Sequence, residues 1–409
     1  MRRPERPRAG AAPTGAGRTR AGRTPGGANA SGSDRTVPVL WLCGPPGVGK
    51  TAVGWEIYEG LVRSGIQTGY VDIDQLGMCY PEVASDPGRH RMKARNLDAV
   101  VRGHRTAGAR CVVVSGVVDA RHGVHRDALT GMSLTVCRLR ADEGELARRF
   151  VGRQGHADAL PHVLREAADL DAGAVGDVCV DTTGLTVAKV ARRVRERVPG
   201  WPATGGHGSP SPADPEGHTD AAAVTGPSSV LWVCGATGVG KSTVAFQVYL
   251  KALRAGLTAA YVDLDQLAIC GPTPADHRRR AGTLAAVWRT YREAGAAALV
   301  MAGPAEDRYA LDRYVRALPT ATVTVCRLHA GRDELTRRIL RRGRGHGSWP
   351  QPGDPLVGQP VTRLRHVADQ AARDADALER AAIGHRIPTD GRTVEEVTAM
   401  VLTHAGWAH

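Results

Sequence analysis

Short runs of consecutive apolar residues alternate with longer segments of helical periodicity along the chain, and the alternation occurs twice. A run such as CVVVS, at residues 111–115, is typical of a strand in a parallel sheet that is covered on both faces. The sequence therefore predicts an α/β fold with right-handed crossovers and with ligands at the carboxyl ends of the strands. The predicted strands lie near residues 37–43, 67–73, 110–115, 133–138 and 177–181, and again near 229–234, 258–264, 297–302, 321–326 and 385–388.

The same glycine-rich loop follows the first strand of each series. WLCGPPGVGKT ends at Thr51 and WVCGATGVGKS ends at Ser242, and both fit the P-loop pattern G-x-x-x-x-G-K-[ST]. In such a loop, backbone N–H groups and a lysine hold ATP phosphates at a helix N-terminus, and the hydroxyl ligates Mg²⁺. We therefore expect Thr51 and Ser242 to be metal ligands. The predicted ATP-binding residues are Gly44, Pro45, Pro46, Gly47, Val48, Gly49, Lys50 and Thr51, and Gly235, Ala236, Thr237, Gly238, Val239, Gly240, Lys241 and Ser242.

Other segments recur in the same order. YVDIDQL, at residues 70–76, returns as YVDLDQL at residues 261–267, which is the same interval of 191 residues that separates the two P-loop lysines. A period of this length predicts a tandem duplication of a whole domain. We expect two P-loop NTPase domains of kinase-like type, each a five-stranded parallel sheet with helices on both faces. The predicted boundaries are a disordered basic tail at 1–36, domains at 37–198 and 229–405, and a flexible Pro/Gly/Ser-rich linker at 199–228.

Two aspartates close the second strand of each series: Asp72 and Asp74, then Asp263 and Asp265. Residues two apart on a strand share a face, so both carboxylates of a pair can point at the crevice in front of the P-loop. One would anchor Mg²⁺ through water, and the other would accept a proton from an attacking hydroxyl. The alternative is that the aspartate caps the following helix. The third strands end in Ser115–Gly116 and Ala302–Gly303 without an acidic residue, which argues against a mechanical ATPase.

An arginine-rich helix follows the fourth strand of each series, in CRLRADEGELARRFVGRQ and CRLHAGRDELTRRILRRGRG. Arginines at this place would close over the phosphates and neutralise charge in the transition state, although most of such a row is a solvated face. The candidates are Arg149, Arg153, Arg338 and Arg342. After the last strand, Thr182 and Thr183 would form either a loop around the adenine ring or a helix cap.

The amino-acid composition adds little to these predictions of fold and site. The net charge of +13 comes from an excess of arginine, which suits phosphate ligands, and only 4% of residues are aromatic, which does not favour nucleic-acid stacking platforms. The eight cysteines show no disulfide or zinc spacing and predict buried thiols in a reducing cytoplasm. Cys79 and Cys270 would either lie near a substrate pocket or fill the core. No apolar run is long enough to predict a membrane span.

Taken in this order, the P-loop, the VDIDQL strand end, the CRL…ELxRR helix and the VDTTG strand end resemble the P-loop small-molecule and nucleotide kinases. Adenylylsulfate, shikimate and gluconate kinases are the nearest in pattern, and zeta-toxin-type kinases are more distant. The resemblance implies a mobile lid, ATP and Mg²⁺ as cosubstrates, and transfer to a small-molecule or nucleotide acceptor. It places Lys50, Lys241 and the two aspartate pairs in catalysis, with Arg149, Arg153, Arg338 and Arg342 in the lid.

Three functions follow from these observations. The first is a cytoplasmic kinase with two ATP sites. The second is a regulatory module that binds nucleotide without turnover, and the third is a nucleic-acid-associated NTPase that uses the basic surface. Because the segment after the second strand is shorter by four residues in the second copy, we expect the copies to share ATP binding but to differ in acceptor or activity, with the first copy as the catalyst.

Overall fold

The computed structural model describes residues 36–154, 157–173, 175–202, 227–274, 276–305, 307–346 and 354–407, apart from the side chains of residues 153 and 154. The strands are β1 Val37–Cys43, β2 Thr68–Asp72, β3 Cys79–Tyr80, β4 Cys111–Ser115, β5 Met132–Arg140, β6 Val178–Asp181, β7 Ser228–Cys234, β8 Ala259–Asp263, β9 Cys270–Gly271, β10 Ala298–Ala302, β11 Ala321–His329 and β12 His385–Pro388. The helices are α1 Lys50–Arg63, α2 His90–Thr106, α3 Glu143–Gln154, α4 Leu160–Ala172, α5 Val187–Arg197, α6 Lys241–Arg254, α7 Leu264–Leu267, α8 His277–Glu293, α9 Arg308–Arg316, α10 Arg332–Gly343, α11 Val361–Arg380 and α12 Val394–Ala405.

The described residues from Thr36 onward belong to one compact unit. We call residues 36–202 the first half and residues 227–407 the second half. The predicted tail, apart from Thr36, and the central part of the predicted linker lie outside the described residues. None of the described helices is both long and apolar enough to cross a membrane.

Each half contributes five parallel strands to a sheet, and the two sheets have the same order. The first runs β6-β5-β1-β4-β2, and the second runs β12-β11-β7-β10-β8. Leu40 and Leu42 of β1 pack with the residues of α1, whereas Trp41 between them packs with those of α2. Both faces of the sheet are therefore covered by helices, which confirms the predicted α/β class and explains why the strands are apolar throughout.

A sixth strand completes each sheet, and it comes from the other half. β3 of the first half pairs antiparallel with β8, and β9 of the second half pairs antiparallel with β2. The predicted count of five strands is therefore not confirmed. The segments after β2 and β8, which we call the exchanged arms, cover sheet edges that would otherwise leave backbone groups unpaired.

Polar contacts hold the exchanged arms in place. The Gln67 Nε2 atom donates a hydrogen bond to the Thr273 carbonyl oxygen at 2.6 Å, and the Thr273 N–H donates to Gln67 Oε1 at 3.1 Å. Cys79 and Cys270 are buried within the arms. Their burial between the halves supports the core-filling role for both cysteines rather than a position in a substrate pocket.

Helices α2 and α8 pack against each other between the two sheets. Leu97 and Val100 of α2 and Leu284 and Val287 of α8 are all at most 1% exposed and belong to one apolar cluster that spans both halves. The halves therefore share a core instead of meeting only through a linker. Burial of apolar side chains on this scale stabilises their association strongly.

Gly103 of α2 tests this packing. A Cβ atom at Gly103 would collide with Thr283 Oγ1 of α8. A Cβ atom at Gly282, which also lies in α8, would meet no atom within 4 Å. We expect Gly103→Ala to lower the free energy of unfolding by about 1–3 kcal/mol through overpacking. Gly282→Ala, the matched control, should raise it by about 0.5–1 kcal/mol through helix propensity. Urea unfolding measures both.

Thr283→Ala removes the hydroxyl that Gly103→Ala would strike, so the double variant should recover most of the lost stability. A loss that persists in the double variant would place the clash elsewhere and contradict the described packing of α2 on α8.

Candidate nucleotide-binding sites

The two P-loops adopt the same glycine-dependent backbone. Gly44, Gly47 and Gly49 have φ angles of 140°, 86° and 102°, and Gly235, Gly238 and Gly240 have φ angles of 140°, 81° and 103°. Residues with a Cβ rarely adopt such angles. A Cβ at Gly44 would also collide with the Leu139 carbonyl oxygen, and one at Gly235 would collide with that of Leu328. The first loop therefore lies close to β5 and leads into the N-terminus of α1. The second loop lies close to β11 in the same way and leads into the N-terminus of α6.

The P-loop lysines fold back over their own loops. Lys50 Nζ donates to the carbonyl oxygens of Gly44, at 2.8 Å, and Pro45, at 3.0 Å. Lys241 Nζ donates to the Ala236 carbonyl oxygen at 3.1 Å. Burial lowers the pKa of both lysines, and the aspartates at 74 and 265 oppose that shift. Phosphate oxygens at this place would offset the desolvation of the ammonium groups.

The first aspartate of each pair caps the turn that follows it, and Asp263 also contacts the P-loop motif. Asp263 Oδ1 accepts a hydrogen bond from the Asp265 N–H at 3.0 Å, and its Oδ2 accepts one from Ser242 Oγ at 2.7 Å. Asp72 Oδ1 accepts equally from the Asp74 N–H at 3.0 Å. One oxygen thus caps the following turn, as the alternative interpretation expected, and in the second half the other oxygen reaches the P-loop. Burial raises the pKa of Asp72 and of Asp263, and the neighbouring aspartate adds to the rise.

The Ser242 hydroxyl and the Asp263 carboxylate form the oxygen donor set that Mg²⁺ prefers. Among the described residues, no group of three or more His, Cys, Asp or Glu side chains is arranged to hold a metal ion. A magnesium ion here would therefore need phosphate oxygens and water to complete its ligands, which is how Mg²⁺ usually binds with a nucleotide.

The second aspartates of the two pairs have different surroundings. Lys93 Nζ of α2 lies 3.0 Å from Asp74 Oδ1, and the Lys93 side chain is only 6% exposed. Sequence reasoning missed Lys93, although a lysine next to Met92 on the apolar face of α2 was a signal. Asp265 lines an open cleft. In the described part of the chain, no ion pair joins Asp265 to a basic side chain.

The arginines at 149 and 338 connect the P-loop to the loop after the last strand. Arg338 Nη1 donates to the Val239 carbonyl oxygen at 2.9 Å and to Thr389 Oγ1 at 3.0 Å. Arg149 Nη1 makes the same contacts with Val48, at 3.4 Å, and with Thr182 Oγ1, at 2.9 Å. Both guanidinium groups are held between the P-loop and the loop after the last strand, and Arg338 also lines the cleft, so a role for them in a lid stays a prediction.

The other lid candidates are Arg342 and Arg153, and the loop after the last strand contains Thr182. Arg342 Nε donates to Asp354 Oδ2 at 2.6 Å, and the side chain of Arg153 lies outside the described residues. Thr182 Oγ1 donates to the Arg140 carbonyl oxygen at 3.0 Å, so Thr182 is not a helix cap. Thr186 caps α5 instead.

Arg338→Gln tests the contact with the P-loop. If Arg338 holds the P-loop against the last strand, its loss should weaken ATP binding by roughly tenfold, because hydrogen bonds to a charged group contribute about 1.5–3 kcal/mol. Arg332→Gln is the control, since Arg332 lies on the same helix, is exposed, pairs with Asp369 and lies outside the cleft beside the second P-loop. Titration calorimetry gives both affinities. A lower turnover rate with unchanged ATP affinity would instead support the lid assignment.

A cleft of about 1760 Å³ opens beside the second P-loop. It begins at Lys241 and Ser242, passes Asp263 and Asp265, and reaches α1 of the first half. The arginines that line it are Arg63, Arg337, Arg338, Arg341, Arg342, Arg363 and Arg392. The cleft has space for a nucleotide and a second small molecule, because ligand pockets commonly measure about 300–1,000 Å³.

Comparison with known proteins gives a partial match. The model of a family described as an AAA domain matches residues 40–165, which include the first P-loop and the Asp72–Asp74 pair but less than half of the chain. No curated protein matches the chain. The match supports an α/β P-loop fold with nucleotide binding in the first half.

Solved structures similar to parts of the chain include three named proteins. A tunicamycin resistance protein of Deinococcus radiodurans is 21% identical, with a TM-score of 0.30, and the alignment covers 39% of this chain and 95% of that one. A gluconokinase of Sinorhizobium meliloti 1021 is 23% identical, with a TM-score of 0.27 and coverage of 40% and 96%. A shikimate kinase of Acinetobacter baumannii is 19% identical, with a TM-score of 0.27 and coverage of 40% and 93%. At these values the similarity assigns no substrate to this chain.

Proposed function

We propose that this protein is an ATP- and Mg²⁺-dependent phosphotransferase that arose by tandem duplication of a P-loop domain. One observation carries the proposal: Lys241, Ser242, Asp263 and Asp265 line one cleft, with Ser242 hydrogen-bonded to Asp263 at 2.7 Å. The duplication is supported by the identical strand orders and by the equivalent P-loops. The free cysteines are consistent with a reducing compartment such as the cytoplasm.

Phosphoryl transfer requires charge neutralisation and positioning more than covalent chemistry. Lys241 would neutralise the terminal phosphates, and Ser242 with Asp263 would hold Mg²⁺, which supplies further neutralisation when bound. Asp265 would accept the proton of the acceptor hydroxyl, because it lines the cleft and, among the described residues, no ion pair occupies its carboxylate. The P-loop and the aspartate pair thus line the same cleft, as a transfer between two bound ligands requires.

Nucleotide binding without turnover is the second candidate, and one observation favours it for the first half. Lys93 Nζ donates a hydrogen bond to Asp74 Oδ1 at 3.0 Å, so that oxygen is already occupied and is less accessible to an acceptor hydroxyl than the carboxylate of Asp265. The structure therefore favours catalysis in the second half and a regulatory role in the first, which is the reverse of the assignment expected from sequence.

A screen for ATP consumption tests these proposals. The full chain is incubated with Mg·ATP and a panel of hydroxylated, carboxylated and phosphorylated small molecules, and ADP release is measured for the wild type, Lys50→Ala, Lys241→Ala and the double variant. We expect acceptor-dependent ADP release that Lys241→Ala abolishes. ATP binding without ADP release for any acceptor would support the regulatory module. Turnover that depends on RNA or DNA and falls steeply with salt would support the nucleic-acid-associated NTPase.

A further inference from the structure

The acceptor end of the second cleft is built by the other half of the chain. Resting on the phosphotransferase function proposed above, we propose that α1 of the first half forms the acceptor wall of the second site, and that this wall selects an anion with a flat ring. The residues of α1 that line the cleft are Trp55, Tyr58, Glu59, Val62 and Arg63.

The exchanged arm of the second half brings α1 to this position. Beyond Asp265, the arm continues through Gln266 and Ile269, which line the cleft, into β9, which pairs with β2 beside α1. The contact is close, because a Cβ on Gly271 would lie 2.9 Å from the Tyr58 hydroxyl and 3.2 Å from Val62. The strand exchange thus places a helix of one half at the end of the crevice that leads from the P-loop of the other half.

Trp55 provides a flat surface on this wall. Its ring meets Tyr70 edge-on, with ring centroids 5.1 Å apart and an interplanar angle of 81°, and it packs on Tyr58 with centroids 4.9 Å apart. These contacts fix the orientation of the indole, while the rest of the half-buried ring lines the cleft. A fixed aromatic surface binds flat rings by offset stacking and apolar burial.

The cleft that α1 closes is lined by more basic than acidic side chains: seven arginines and Lys241, against Glu59, Asp263, Asp265, Glu334 and Asp354. Arg63 is 67% exposed and approaches Glu56 only to 3.7 Å. Arg341 and Arg363 also line the cleft, and in the described ranges no acidic side chain forms an ion pair with either of them. Because guanidinium groups and a flat aromatic surface line the same cleft, a ligand that contacts both would be anionic and would carry a flat ring. Nucleoside monophosphates represent this chemical class, and glycerol 3-phosphate represents anions without a ring.

The experiment uses the full chain with Lys50→Ala, so that only the second P-loop retains its lysine, and it saturates that site with Mg²⁺ and the non-hydrolysable analogue AMPPNP. Calorimetric titrations then measure the affinity for AMP, GMP, CMP, UMP and glycerol 3-phosphate. At least one nucleoside monophosphate should bind roughly tenfold more tightly than glycerol 3-phosphate, a ratio that corresponds to about 1.4 kcal/mol and lies within the range that aromatic stacking contributes. Trp55→Leu should reduce this ratio to about threefold or less.

Arg63→Glu is the second variant, because its exposed side chain can be replaced without disturbing the fold. It should weaken binding of the monophosphate by roughly fivefold to tenfold and leave AMPPNP binding within about twofold. Arg192→Glu is the matched control, with the same charge change on α5, where Arg192 is 69% exposed and lies outside the cleft. It should change neither affinity.

The outcomes separate this inference from the proposed function. If no monophosphate binds to the AMPPNP-saturated chain, or if neither Trp55→Leu nor Arg63→Glu affects that binding, the acceptor wall is wrong, even if ADP release with another acceptor supports the phosphotransferase. If monophosphate binding depends on Arg63 but no acceptor releases ADP, the wall is supported and the phosphotransferase is wrong.

Discussion

Lys50→Ala and Lys241→Ala should each reduce the ATP stoichiometry of the chain from about two to about one. Each lysine acts as a point charge on the phosphates of its own nucleotide. Each also belongs to a separate loop, with hydrogen bonds to carbonyl oxygens of that loop. The double variant should bind no ATP at concentrations that saturate the wild type, and titration calorimetry measures all four stoichiometries.

Arg110→Ala provides a control for nonspecific effects of removing positive charge, because Arg110 is exposed at the start of β4, away from both loops. Two results would contradict the proposal of two independent sites. One is a wild-type stoichiometry of one, and the other is a single variant that loses all ATP binding. The second result would show instead that the two sites depend on each other.

Asp265→Asn should lower the turnover of the second site by roughly 10²–10⁴ and leave ATP affinity nearly unchanged, because a positioned general base contributes about that factor. The substitution keeps the backbone N–H of residue 265, which donates to the N-cap residue Asp263, so the first turn of α7 should be unchanged. Single-turnover measurements with an acceptor from the screen give the rate, and calorimetry gives the affinity.

Asp263→Asn and Asp74→Asn are the informative comparisons. Asp263→Asn should weaken Mg²⁺ binding and so raise the Mg²⁺ concentration needed for half-maximal turnover, because an amide cannot replace the carboxylate beside Ser242. Asp74→Asn should have a smaller effect on turnover than Asp265→Asn, because Lys93 already pairs with Asp74. An unchanged rate in Asp265→Asn would refute the role of Asp265 as the base, and equal losses at 74 and 265 would show that both halves turn over.

Local pattern predicted much of the fold and the centre of each candidate site. The predicted strands were found within about two residues of their starts, because buried parallel strands are apolar along their whole length. The P-loops were evident because their positive φ angles require glycine at fixed spacings. Asp263 and Asp265 were found because they follow directly from a strand whose end the pattern located.

Other features depended on contacts between residues far apart in the sequence. Strands β3 and β9 have two residues each, too few for any periodicity, and their pairing with β8 and β2 depends on how the halves meet. The contact of Arg338 with the P-loop region could not be read from local sequence, because it also involves Thr389, which lies 51 residues further along the chain. The same holds for Lys93, whose partner Asp74 lies across the turn after β2.

The sequence by itself determined that this chain folds as α/β and carries two glycine-rich loops of the P-loop pattern, because backbone geometry and hydrophobic burial act on neighbouring residues. The tertiary structure alone decided that the two halves exchange strands, share a core, and place Trp55 and Arg63 in a cleft with the P-loop of the other half. Such contacts depend on complementary surfaces formed only after both halves fold, so no local pattern records them.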